Sequence, residues 1–267
     1  MPMVNRQEVM KRVESLNIID DALFQKMAED VGFCEELLST ILGQEVTIFE
    51  LYKQDSIKNL QGRSVVIDAR CLMADGTMSI VEVQNANDDE HVLRVRYETS
   101  CVTANITDSG TKFKNVPNVI SIFISKFDIF KHGKTVYHID RTIRETGDIN
   151  DNGLQEIYVN AKVDDGTDIA ELMRIFKEHN TYDFSKFPKT SARKHQFLES
   201  EGGKEQMCEI VENYAQEVAR EATKEQAEKY ARNLLIKGAS FEMVKECIDS
   251  LSEEALRKIY ESVKGMA

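Results

Sequence analysis

The sequence has no run of apolar residues approaching the roughly 20 needed to cross a bilayer. Its first residues, MPMVNRQEVM, lack the apolar core of an export signal. A chain neither exported nor inserted is expected, with a cytoplasmic location. Cysteine is sparse and scattered. Cys34, Cys71, Cys101, Cys208 and Cys247 are odd in number, lie far apart and include no C-x-x-C, which argues against a disulfide framework and a thiolate zinc site. A Gly-rich phosphate loop, G-x-S-x-G, H-E-x-x-H and internal repeats are all missing, so the chemistries those motifs carry have no footing here.

Positive charge is short as well. The net charge is −12 at pH 7, an awkward balance for gripping a polyanion, because Lys and Arg supply most non-specific affinity for phosphate. The deficit is uneven. From His91 to Glu145 there are nine Lys and Arg against five acids, which reads either as a phosphate-facing rim or as scattered solvated charge.

What the sequence does hold is 267 residues at 42% hydrophobic, enough for one generous domain or a domain with an appendage. Its most informative stretch is Arg63 to Gln84, RSVVIDARCLMADGTMSIVEVQ. SVVIDARCL is rich in β-branched residues and SIVEVQ alternates apolar with polar. Ala74, Asp75 and Gly76 between them carry a turn signal, so the stretch predicts a β-hairpin. Its carboxylates of interest are Asp68 and Glu82.

Whether those two meet depends on turn length, because a slip of one residue sends a side chain to the other face. A two-residue Asp75-Gly76 turn sets Asp68 opposite Val83 and separates the carboxylates. A three-residue turn with Gly76 as a left-handed bulge pairs Met73 with Thr77, sets Asp68 opposite Glu82 and leaves Gln84 on the same face. Carboxylates so placed repel unless a positive charge lies between them, and a hard divalent cation with oxygen ligands is the natural occupant. Mg2+ is the candidate, with Mn2+ as its substitute. The alternative is that both acids are solvated on the polar face of a half-exposed hairpin.

An Asp in an apolar strand followed across a hairpin by Glu-x-Lys or Glu-x-Gln resembles the core of the PD-(D/E)XK nuclease motif, here Asp68 and Glu82-Val83-Gln84. NLQGRSVVIDARC (59–71), IVEVQ (80–84), RVRYETSCVTANI (94–106), TVYHIDRTIRETG (135–147) and EIYVN (156–160) resemble one branch in particular. That branch is the Rpn family of recombination-promoting nucleases and transposases, and the likeness runs to about residue 215. It implies an α/β fold with the αβββαβ restriction-endonuclease-like core, a mixed central sheet flanked by helices, followed by an α-helical C-terminal extension. It also implies DNA as substrate and a metal held by Asp68, Glu82 and the main-chain carbonyl of Val83.

In this superfamily the helix before the first strand often contributes a third acid. Cys34-Glu35-Glu36-Leu37 resembles the segment that carries it, making Glu36 the candidate and Asp21, at the family's D-x-x-F start, its rival. Gln84 stands where many relatives have Lys. A neutral amide hydrogen-bonds but adds no positive charge to the transition state, so slow turnover is expected. Arg94 and Tyr97 lie in the family's Arg-x-x-Tyr region beside the metal, which implies phosphate contacts, with Arg96 as a further DNA-binding cation. For Tyr97 a packing role is the alternative.

Periodicity elsewhere predicts helices within 4–42, a strand at 46–54, a helix at 91–110 and a buried strand beginning at 118 that pairs parallel with an earlier one. Two short strands follow at 135–141 and 156–160, then a helix at 168–180 and a polar connector to about residue 203. Residues 204–237 lack Pro and Gly and predict one long helix with a thin apolar stripe, followed by two short helices each opened by Ser. The chain is accordingly read as a nuclease-like domain over 1–195 and a helical extension over 196–267. With 10 basic and 15 acidic residues, the extension reads as an arm for homo-oligomer assembly or docking rather than a DNA reader. Two functions remain in play. One is a Mg2+-dependent DNA endonuclease associated with recombination or mobile elements; the other is a catalytically weak nuclease-like module that binds DNA or protein.

Overall fold

The computed structural model describes residues 6–57, 65–87 and 90–264, so residues 59–64 of the NLQGRSVVIDARC block lie outside the described part. Three helices, α1 (Arg6–Val13), α2 (Asp21–Met27) and α3 (Val31–Leu42), precede the strands β1 (Ile48–Ile57), β2 (Val65–Met73) and β3 (Met78–Gln84). Helix α4 (His91–Ile106) then leads to β4 (Val119–Ser125), β5 (Val136–Ile139) and β6 (Leu154–Asn160). Helices α5 (Asp168–Lys177), α6 (Pro188–Glu199), α7 (Glu201–Ile236), α8 (Phe241–Cys247) and α9 (Glu253–Lys264) complete the chain.

The six strands form one mixed sheet in the order β1-β2-β3-β4-β6-β5. The pairs β1/β2, β2/β3 and β5/β6 are antiparallel, whereas β3/β4 and β4/β6 are parallel. The succession α3, β1, β2, β3, α4, β4 is the αβββαβ core that the resemblance implies. Parallel pairing at the centre needs cover on both faces, and VISIFIS in β4 is accordingly buried along its whole length. Asp30 caps α3 by accepting the N–H of Phe33 at 2.8 Å, and Gly43, left-handed at φ 65°, ends it. Phe24, Phe33 and Phe176, with ring centroids 6.0 to 6.3 Å apart, lock α2, α3 and α5 together.

One expectation is overturned here. The polar stretch read as a connector contains the 12-residue helix α6, opened by Pro188 in its first turn, where the missing N–H costs nothing. Its inward stripe of Thr190, Ser191, Lys194, Phe197 and Leu198 is buried although mostly polar. The Lys194 ammonium donates to the carbonyls of Ile175 (2.9 Å), Glu178 and Thr181 (3.2 Å), closing the C-terminal end of α5. Helix α7 also starts earlier than expected, at Glu201, and takes in both glycines. At Gly203 a Cβ would overlap the Gln196 carbonyl, so only glycine lets the first turn of α7 close on the end of α6.

The chain divides into two compact units, one ending at Cys208 and the other running from Glu209. In the second unit Ala231, Leu235, Val244, Ile248, Leu251, Leu256 and Ile259 form a separate core. Ser240 caps α8 through the N–H of Met243, and Ser252 accepts the N–H of Ala255 at the start of α9. Among the described residues, no helix is long and apolar enough to cross a membrane.

Candidate active site

The β2/β3 turn is the three-residue form. Gly76 is left-handed at φ 87°, its N–H donates to the Met73 carbonyl at 2.9 Å, and the Met73 N–H donates to the Thr77 carbonyl at 2.9 Å. The register runs from Leu72 opposite Met78 to Ala69 opposite Val81, so Asp68 stands across from Glu82. There the side chains take over the pairing. The Asp68 N–H donates to Glu82 Oε1 at 3.1 Å, and the Val83 N–H donates to Asp68 Oδ2 at 3.0 Å.

Helices on either side complete the surroundings. From α4, Arg94 donates through Nη2 to Glu82 Oε2 (2.8 Å), through Nε to Glu98 Oε1 (2.7 Å) and through Nη1 to Gln84 Oε1 (3.2 Å). From α2, Gln25 Nε2 reaches Asp68 Oδ1 at 3.4 Å. Gln84 Nε2 is itself held by the Ala86 carbonyl at 2.8 Å. Glu82 is 2% exposed, while the Arg94 side chain is 41% exposed. The guanidinium thus has one edge in the acidic cluster and another toward solvent.

The electrostatics follow from this packing. Burial and the charge of Asp21 push Asp68 up to about 6, against the opposing pull of the Val83 N–H, Gln25 and Arg94. Burial, Asp68 and Glu98 together raise Glu82 well above the usual carboxylate range, with Arg94 pulling the other way. For Arg94 burial disfavours the charge, yet Glu82 and Glu98 hold it above its ordinary value. Asp21, Asp68, Glu82 and Glu98 together outnumber that one cation.

Glu36 is not brought to this cluster. Its carboxylate accepts the N–H groups of Lys189 (3.1 Å) and Thr190 (2.7 Å), capping α6 instead. Asp21, the rival, is the acid whose charge Asp68 feels. Tyr97 packs against the cluster of Val65, Ile67, Met78, Ile80, Cys101 and Val102. Arg96 is exposed and, two residues from Arg94, lies on another side of α4. Val83 contributes its N–H to Asp68 and buries its side chain. Sequence reasoning missed Glu98 and Gln25. Glu98 was readable as the acid four residues after Arg94 on one helical face, whereas nothing local marks Gln25.

Among the described residues, no group of three or more His, Cys, Asp or Glu side chains is arranged to hold a metal ion. The donors that do converge are two carboxylates, in surroundings with an excess of negative charge. Such an all-oxygen set suits a hard divalent cation and not a soft one.

A carboxylate pair on the central hairpin of a mixed αβββαβ sheet is the arrangement of PD-(D/E)XK nucleases, which typically use divalent metals. Within that class, the chain belongs to the PD-(D/E)XK nuclease family transposases, whose family model matches residues 22–238. This is a family of nucleases related to mobile elements. No curated protein and no solved structure matches the chain significantly.

Proposed function

We propose that the protein is a divalent-metal-dependent endonuclease that hydrolyses DNA phosphodiesters, using Mg2+ with Mn2+ as a working substitute. The observation that carries this reading is the facing of Asp68 and Glu82, one half-buried and one buried acid, both of raised proton affinity and with Asp21 and Glu98 close by. Asp68, Glu82 and the main-chain carbonyl of Val83 would hold the ion, whose chemistry is to lower the pKa of water and polarise the scissile phosphate. In the hydrolysis a water oxygen bonds to phosphorus in line with the breaking P–O3′ bond, leaving a 3′-hydroxyl and a 5′-phosphate. Gln84 orients the attacking water, and the solvent-facing edge of Arg94 meets a phosphate oxygen.

Arg96 and the exposed Lys126, Lys131, Lys134, Arg141 and Arg144 extend the phosphate contacts along the basic segment. The second unit, with its own small core and acidic balance, serves to assemble a second copy of the chain rather than to read DNA. A cytoplasmic setting agrees with five free cysteines. A second reading, a nuclease-like binding module without turnover, draws on one observation: the Arg94 guanidinium already neutralises Glu82.

Supercoiled plasmid incubated with Mg2+, Mn2+ or EDTA, beside Asp68→Ala and Glu82→Ala, separates the two. Nicking by wild type that needs the metal and both acids is the expected result. Equal nicking by all three proteins, or none by wild type with either metal, overturns the nuclease.

A further inference from the structure

The motif position that carries Lys in many PD-(D/E)XK nucleases is Gln84 here, and a neutral amide adds no charge to a transition state. A full positive charge nonetheless stands at that position. The Arg94 guanidinium lies 3.2 Å from Gln84 Oε1 and 2.8 Å from Glu82 Oε2, and arrives there from another element, helix α4. We infer that Arg94 is the catalytic cation of this active site, displaced from strand β3 to helix α4, and that Gln84 and Glu98 are the residues that position it.

Three features support the assignment. Glu98 is buried at 5% exposure and sits one helical turn along from Arg94, with Oε1 2.7 Å from Nε, so the guanidinium plane is set from its own helix. Gln84 is tethered through Nε2 to the Ala86 carbonyl, which turns its Oε1 toward Nη1. The Arg94 side chain is 41% exposed, so the guanidinium fixed by these two contacts still faces the solvent from which a phosphate arrives. An arginine kept only to neutralise Glu82 would need neither the amide contact nor the open edge. Arg94 is also suited to the role chemically, since its planar fork stays charged and offers several donors to the oxygens of a transferring phosphoryl group.

The inference rests on the nuclease reading, and its test is chosen so that the two fail differently. Single-turnover plasmid cleavage is measured over a range of DNA concentrations for wild type, Arg94→Met and the double variant Gln84→Lys/Arg94→Met, with melting temperatures recorded alongside. Arg94→Met is expected to lower the maximal rate roughly 100-fold, the size of a lost oxyanion donor, with the half-saturating DNA concentration changed far less. Moving the charge to position 84 in the double variant is expected to restore at least about tenfold of that loss. A purely structural arginine would show a lower melting temperature and no such restoration.

Wild-type cleavage that depends on Asp68 but survives Arg94→Met unchanged overturns this inference and leaves the nuclease standing. So does a folded double variant no faster than Arg94→Met. Absence of Asp68-dependent cleavage in wild type overturns both. Should Arg94→Met fail to fold, Arg94→Gln/Glu98→Gln, which removes a buried charge together with its partner, takes its place with the same expectations.

Discussion

Glu82 Oε1 accepts the main-chain N–H of Asp68 at 3.1 Å, and Asp68 returns the relationship by accepting the N–H of Val83 on the strand of Glu82 at 3.0 Å. Each acid is thereby bolted to the opposite backbone through one oxygen. Among the described residues, the second oxygens, Asp68 Oδ1 and Glu82 Oε2, are held by the side chains of Gln25 and Arg94. Those partners can be exchanged for another ligand without disturbing the strand pairing. Two like charges are kept close by the ladder rather than by attraction, and this arrangement has measurable consequences for stability.

Asp68→Asn should stabilise the metal-free protein at alkaline pH. The folded state holds Asp68 at about 6 while the unfolded chain returns it to its ordinary 3.8. Between those values the folded state binds the proton more strongly, so stability falls as pH rises through the window and the ionised group opposes folding above it. The neutral amide avoids that penalty, and a gain on the order of 1 to 3 kcal/mol is expected at pH 8, with little change at pH 4. Thermal melts at the two pH values check it; a lower melting temperature for the variant at pH 8 would count against the buried-charge account.

Glu36→Ala should damage the fold and spare the chemistry. It removes the acceptor for two N–H groups at the start of α6, a cap worth about 1 to 2 kcal/mol. Plasmid cleavage well below the melting temperature should match wild type. Loss of cleavage with unchanged stability would instead return Glu36 to the acid cluster.

Most of the fold and part of the site were legible in the sequence, for identifiable reasons. Gly76 in a three-residue turn needs a positive φ, and once that turn is chosen the register follows by counting, which is why Asp68 and Glu82 face each other as the bulged hairpin requires. The run in β4 is apolar at five of its seven positions and on both faces, as double-sided burial favours, with only Ser121 and Ser125 polar. Helix α6 escaped because its buried face is built from Thr, Ser and Lys. The Lys194 ammonium and the Ser191 hydroxyl find their partners on other segments, at Ile175, Thr181 and Asp183, which no local pattern reveals. The choice between Glu36 and Asp21 was similarly out of reach, since it depends on whether α2 or α3 lies against β2.

Lys194→Met should be among the more damaging single changes in the first unit. The methionine fills similar space but leaves the carbonyls of Ile175, Glu178 and Thr181 without their shared donor in a buried position. Unsatisfied acceptors of this kind bring an expected loss of about 2 to 4 kcal/mol in chemical denaturation. A variant as stable as wild type would show that these carbonyls find water.

Calorimetric titration of Mn2+ into the metal-free protein tests the central claim, that Asp68 and Glu82 form a divalent-cation site. One ion per chain should bind at pH 7.5, more weakly at pH 5.5, where Asp68 held at about 6 must first give up its proton. That binding should vanish in Glu82→Gln. No heat of binding at pH 7.5, or an unchanged isotherm in Glu82→Gln, would contradict the claim.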